Sequence, residues 1–92
     1  MKYYDWNDEK NELLKQLRRV SFEQVVLAIV TGDLVDRIKH PNPGKYPNQT
    51  VFLVKIGEYV YSVPYVEDDE KIFLKTIIPN SKETKKYLRG KR

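Results

Sequence analysis

The sequence predicts an α+β fold: a short N-terminal strand, a two-helix hairpin, a four-stranded antiparallel sheet and a basic C-terminal helix. Three observations lead there. Apolar residues recur at helical spacing over residues 8–30, they alternate as in strands over residues 34–78, and cations gather after residue 81. A chain of 92 residues has room for one modest core, so residues 1–92 are read as a single domain.

Lys2 to Trp6 is an aromatic run suited to an opening strand. Asn7 can cap a first helix whose first turn holds Asp8 and Glu9, where the helix dipole favours carboxylates. Leu13, Leu14 and Leu17 supply its apolar side, and Arg18 and Arg19 lie near its end. Ser21 and Gln24 form a capping box for a second helix. There Phe22, Val25, Val26 and Ile29 fall at i, i+3, i+4 and i+7, and Gly32 is a natural stop.

Leu34 to His40 reads as the first long strand, and Thr50 to Ile56 as the second. Gly57 and Glu58 make a turn, and Tyr59 to Val66 returns as the antiparallel partner. Pro64 inside that strand calls for a bulge or an unpaired edge, because proline cannot donate to a ladder. Glu67 to Glu70 is an acidic turn without the spaced donors and glycine of a calcium loop, so it reads as solvated. Lys71 to Ile78 is the closing strand. Period-two alternation puts Ile72, Leu74, Thr76 and Ile78 on one face and Phe73, Lys75 and Ile77 on the other. Pro79 ends it, Asn80 and Glu83 signal a cap, and a last helix covers about residues 81–89.

Composition narrows the function classes. Hydrophobic residues make up 40% and charged residues 33%, a globular balance. There is no cysteine and one histidine, which removes disulfide frameworks and thiolate or zinc centres. No cofactor is expected. The N-terminus has no apolar run of signal-peptide type and nothing reaches membrane-spanning length, so the expectation is a cytoplasmic protein with no membrane association. The net charge of +4 is uneven: residues 82–92 carry six cations against Glu83, a local +5, which leaves the rest near −1. Two readings fit such a terminus, a footprint for nucleic acid or a solvated, solubilising tail.

The segment KHPNPGKYPNQ, residues 39–49, gathers His40, Lys45 and Tyr46 with three of the five prolines. It reads either as an ordinary turn-rich linker or as a stiff loop presenting a group that titrates near neutrality. Lys75 reads either as a cation beside an aromatic on an open face or as a lysine whose stem packs on Phe73. Tyr59, Tyr61 and Tyr65 share a face, where they can stack bases or pack in the core.

The segment YYDWNDEKNELLKQLRRVSFEQVV, through Trp6, Lys10, Ser21, Phe22 and Glu23, resembles the opening of the BrnT-like ribonuclease toxin family. The ending IFLKTIIPNSKETKKYL, through Ile77, Ile78, Lys82, Thr84 and Tyr87, resembles its closing strand and helix. The resemblance implies a RelE-like fold, a growth-arresting endoribonuclease of a type II toxin–antitoxin system, and a cognate antitoxin, often with a ribbon-helix-helix part. Two positions depart from the family pattern. Ser81 stands where an arginine usually precedes the Lys-x-Thr, and Thr76 lies where the closing strand tends to carry one.

Metal-independent RNA cleavage by 2′-hydroxyl attack needs a base, cations at the phosphoryl oxygens and an acid for the leaving oxygen. The candidate catalytic set is His40, Lys45, Tyr46, Lys75 and Tyr87, with Lys82, Lys85, Lys86 and Arg89 as RNA-binding residues. The same surface also suits a noncatalytic nucleic-acid-binding module or a protein-interaction module.

Overall fold

A computed structural model describes residues 2–39, 44–45 and 49–90 of the chain. Its first helix, α1 (Asp8–Arg18), starts where Asn7 Oδ1 accepts the Lys10 N–H at 2.9 Å, and it ends where Arg19 takes φ 57° and donates to the Lys15 carbonyl. The second helix, α2 (Phe22–Val30), opens with the expected reciprocal box: Ser21 Oγ accepts the Gln24 N–H and Gln24 Oε1 accepts the Ser21 N–H. It closes through Gly32 at φ 94°, a conformation that costs glycine little, and the Asp33 N–H returns to the Ala28 carbonyl at 2.7 Å.

Burial on α1 differs from the leucine pattern. Leu14 is buried, whereas Leu13 and Leu17 are 47% and 69% exposed. The inward line of the helix is instead Asn11 and Leu14, one turn apart. Asn11 is 3% exposed. Its Oδ1 accepts the buried Phe22 N–H at 2.8 Å and its Nδ2 donates to Glu23 Oε1 at 2.8 Å. A polar side chain therefore joins α1 to the start of α2, and satisfying that amide sets the rotation of α1.

The strands are β1 (Tyr3–Asp5), β2 (Leu34–Lys39), β3 (Thr50–Ile56), β4 (Tyr59–Glu67), β5 (Lys71–Leu74) and β6 (Ile78–Pro79), followed by the helix α3 (Ser81–Gly90). They form one sheet in the order β1-β5-β4-β3-β2, with β6 also paired to β4. The expected four-stranded antiparallel sheet is thus corrected to a mixed one. β1 joins it parallel to β5, with Tyr3 opposite Lys71 and Asp5 opposite Phe73.

Alternation along β3 and β4 gives the sheet two apolar faces. Phe52, Val54, Val63 and Tyr65 face α1 and α2 and join Leu14, Phe22, Val25, Leu74 and Ile77 in the main core. Trp6 stacks on Phe22 at 5.7 Å and Tyr65 on Phe52 at 3.9 Å between ring centres. Val51, Leu53 and Val60 face the other way, beneath α3.

The expected closing strand is interrupted opposite Pro64. Leu74 lies opposite Tyr65, but Ile78 lies opposite Ser62, so four steps on one side match three on the other. One extra residue is a β-bulge, and it inverts every later side chain. Ile77 becomes fully buried in the main core, while Ile78 turns to the α3 face at 43% exposure. Both differ from the simple alternation, which paired Ile78 with Leu74 and Ile77 with Lys75. The cause is Pro64. Its carbonyl accepts the Lys75 N–H at 2.8 Å, so the edge of β4 at this residue offers an acceptor and no donor.

Replacing Asn11 with Ala leaves the buried Phe22 N–H without its partner. It is expected to lower the unfolding free energy by about 1–3 kcal/mol, read from urea denaturation. The Asn11 amide, followed by the Glu23 backbone N–H, also holds the Glu23 carboxyl below its usual range. A depressed carboxylate adds stability above its unfolded pKa and loses it as pH falls through the folded one. Stability should therefore decline on acidification below the ordinary glutamate range, and Asn11→Ala should flatten that decline.

Candidate nucleic-acid interface

The site is built on the outer edge of β4. The Val60 N–H and C=O both point away from β3, and the first turn of α3 takes them. Thr84 Oγ1 accepts the Val60 N–H at 2.9 Å, and the Asn80 N–H donates to the Val60 carbonyl at 3.0 Å. Thr84 is 5% exposed, and its hydroxyl donates a hydrogen bond to the Asn80 carbonyl at 2.7 Å. Asn80 also caps the helix, its Oδ1 accepting the Glu83 N–H and its Nδ2 donating to Ser62 Oγ, both at 2.9 Å. Asn80, Thr84 and Ser62 carry the placement of α3, and the sequence reading did not single out Ser62. Cap spacing revealed Asn80, but only the sheet register shows what Thr84 is for.

With Thr84 buried and Tyr87 half-buried against Val51, Leu53 and Val60, the inward side of α3 is settled. Lys82, Lys85, Lys86 and Arg89 are all exposed. They fall at i, i+3, i+4 and i+7, which at 3.6 residues per turn confines them to an arc of about 100° facing solvent. Glu83 is the acid of this helix, half-buried and paired with Lys86 at 3.5 Å. That exposed contact neutralises little of the stripe.

The expected catalytic set is only partly placed. His40 and Tyr46 lie outside the described residues. Lys45 is exposed in a turn. Lys75 is exposed within the bulge, its Nζ 5.8 Å from the Phe73 ring centre, and it borders a shallow cleft with Asn7, Lys10 and Leu13 of the α1 end. Phe73 accompanies it as expected; Ile77 does not. Tyr87 lies over β3 with Lys55 Nζ 5.9 Å from its ring, and it borders a different cleft with Asp33, Leu34 and Val35. Lys75 and Tyr87 therefore open onto separate clefts.

The tyrosine row on β4 serves packing. Tyr65 is buried in the main core, where desolvation pushes its phenol up, Tyr61 packs against that core, and Tyr59 and Tyr61 are in tilted contact at 5.4 Å. The acidic turn closes on itself: Asp68 Oδ1 accepts the Glu70 and Lys71 N–H groups, which hold its carboxyl low. Among the described residues no group of three or more acidic or histidine side chains is arranged to hold a metal, and no helix is long and apolar enough to cross a membrane.

A groove that the sequence reading missed runs beside the first turn of α3. It encloses ≈ 410 Å³ between Ile38, Val51, Pro64 and Ile78, with Asn80 and Lys82 at its rim. Ile38, Val51 and Pro64 form a cross-strand row over β2, β3 and β4. Ile78 completes it because the bulge turns that side chain to this face. Proline within a strand was the signal in the sequence, but the bulge formed in the partner strand.

Comparison with protein-family models, with curated proteins and with solved structures finds no match to this chain.

Thr84→Val keeps the shape but removes the acceptor from the buried Val60 N–H. It should cost about 1–3 kcal/mol in urea denaturation, whereas Thr84→Ser, which retains the hydroxyl, should recover most of that loss.

Proposed function

We propose that this domain acts on RNA as the toxin of a type II toxin–antitoxin pair, a metal-independent endoribonuclease of BrnT-like, RelE-like type that grips the RNA backbone with α3. The observation that carries the RNA part is the alignment of Lys82, Lys85, Lys86 and Arg89 on the one helix face turned to solvent. Cations at a one-turn repeat on a rigidly seated helix neutralise successive phosphates without reading base identity. The cleavage step and the antitoxin, of ribbon-helix-helix type, come from the resemblance of the two end segments.

In this reading His40 takes the 2′-hydroxyl proton, Lys45 and Lys75 stabilise charge on the phosphoryl oxygens, and Tyr46 or Tyr87 protonates the leaving 5′-oxygen. The reaction takes place in the cytoplasm, and the antitoxin restrains it by covering the surface.

A second reading, a noncatalytic nucleic-acid or protein-binding module on the same scaffold, has its own observation. Lys75 and Tyr87 border separate clefts, and Ser81 and Thr76 stand where the family carries arginines.

Labelled mixed-sequence RNA incubated with purified protein in EDTA separates the two. Cleavage lost in His40→Ala or Lys75→Ala, together with growth arrest on expression, supports the ribonuclease; RNA that is bound but stays intact supports the module. In either case the double variant K85E/K86E should weaken RNA binding about tenfold or more. The logarithm of wild-type affinity should fall against the logarithm of salt with a slope of about −3, near −0.7 for each of the stripe's cations. A slope near zero would remove the stripe from the interface.

A further inference from the structure

The groove beside α3 is chemically unlike the helix face next to it. Branched aliphatics and prolines, Ile38, Val51, Pro64, Ile78 and Pro79, supply its apolar surface, and Ser62, Asn80, Ser81 and Lys82 complete the lining on the α3 side. Ile38 and Ile78 remain 37% and 43% exposed. Among the described residues no aromatic side chain lines it, and these residues offer an unstacked base no platform. Its ≈ 410 Å³ lies within the range of roughly 300–1,000 Å³ of clefts that bury small ligands.

Charge tells what surrounds the apolar group. Lys82 stands at the rim, and Lys85, Lys86 and Arg89 continue from it along α3. On the same face of β2, Asp36 is the nearest acid along the strand from Ile38, and its Oδ1 already accepts the Arg37 N–H at 2.7 Å. A ligand lying from the groove onto the helix therefore meets apolar surface first and a row of cations next.

We propose that the groove takes paired aliphatic side chains of an acidic, amphipathic helical segment from a partner protein, whose carboxylates meet the α3 cations. Leu or Ile at i and i+4 of such a segment lie on one face, as helix-in-groove recognition requires. The burial of these anchors supplies affinity and the carboxylates supply orientation and on-rate. Because the segment shares the α3 cations with RNA, the two ligands exclude each other. That exclusion rests on the RNA reading above, whereas the groove's own occupancy does not.

The test uses the full chain, ¹⁵N-labelled, with three probes: a short Glu-rich helical peptide carrying Leu at i and i+4, the same peptide with both Leu changed to Ser, and a short single-stranded RNA. The expected result is that the Leu peptide shifts the amides of Ile38, Val51, Ile78 and Lys82, and that the Ser peptide binds at least about tenfold more weakly. Ile78→Ser and Ile38→Ser, changes at exposed positions, should weaken the Leu peptide by a similar factor while leaving RNA affinity unchanged. Equal binding of the two peptides, no shift at the groove, or RNA affinity falling with Ile78→Ser would each overturn the proposal. Peptide binding that persists when wild-type protein binds no RNA would overturn the RNA reading and leave the groove standing.

Discussion

Val60 presents its backbone N–H and C=O outward from β4, and the structure on this side of the sheet depends on how they are satisfied. A buried amide without a partner costs as much as a lost hydrogen bond or more. The chain meets that demand with a threonine hydroxyl and the N–H of a helix cap, at 2.9 and 3.0 Å. The two bonds anchor α3 by its first turn and Asn80 adds a third contact to Ser62. Once that turn is held, the helical repeat determines where every later residue of α3 points. Tyr87 goes inward and the four cations go outward.

Reading outward from Val60, the outer edge of β4 is completed in sequence by one returning segment. Asn80 and Thr84 cover Val60, β6 covers Tyr61 and Ser62, Lys75 reaches the Pro64 carbonyl, and β5 covers Tyr65 to Glu67. Pro64 is the one place along this edge that cannot donate. The one-residue bulge that accompanies it has consequences on both faces: Ile77 enters the main core and Ile78 enters the groove. A single missing N–H thus shapes the core and the candidate docking surface together.

The two sides of the sheet divide the work. The face under α1 and α2 holds the large core, with Tyr65 and Phe52 stacked and Asn11 joining the helices through a carboxamide bonded at both its oxygen and its nitrogen. The face under α3 holds a smaller cluster and leaves part of the sheet uncovered, and there the apolar groove lies beside the cation stripe. Phosphate backbone and carboxylate-bearing protein are chemically similar to a row of lysines. They differ at the groove, where the described residues offer aliphatic contact and no stacking surface.

Local signals in the sequence determined much of this protein. Asn7, Ser21 with Gln24, and Asn80 marked the helix starts because a cap needs only a side-chain oxygen within three residues. The pair of Thr50–Ile56 with a strand from Tyr59 to Val66, one residue short of the observed Glu67, was legible from alternation, and the +5 of the last residues from simple counting. Even the cation stripe follows from spacing once a helix is granted. Tertiary structure decided the rest, because it involves partners distant in sequence. Periodicity could not say that β1 pairs parallel to β5, or that Asn11 rather than Leu13 and Leu17 faces inward. Nor could it show that Thr84 serves an amide 24 residues away. The bulge opposite Pro64 was anticipated in kind but not in place, since the strand that absorbs it is chosen by pairing. That choice put Ile78 in a groove and Lys75 in a cleft apart from Tyr87, which no reading of alternation along one strand contains.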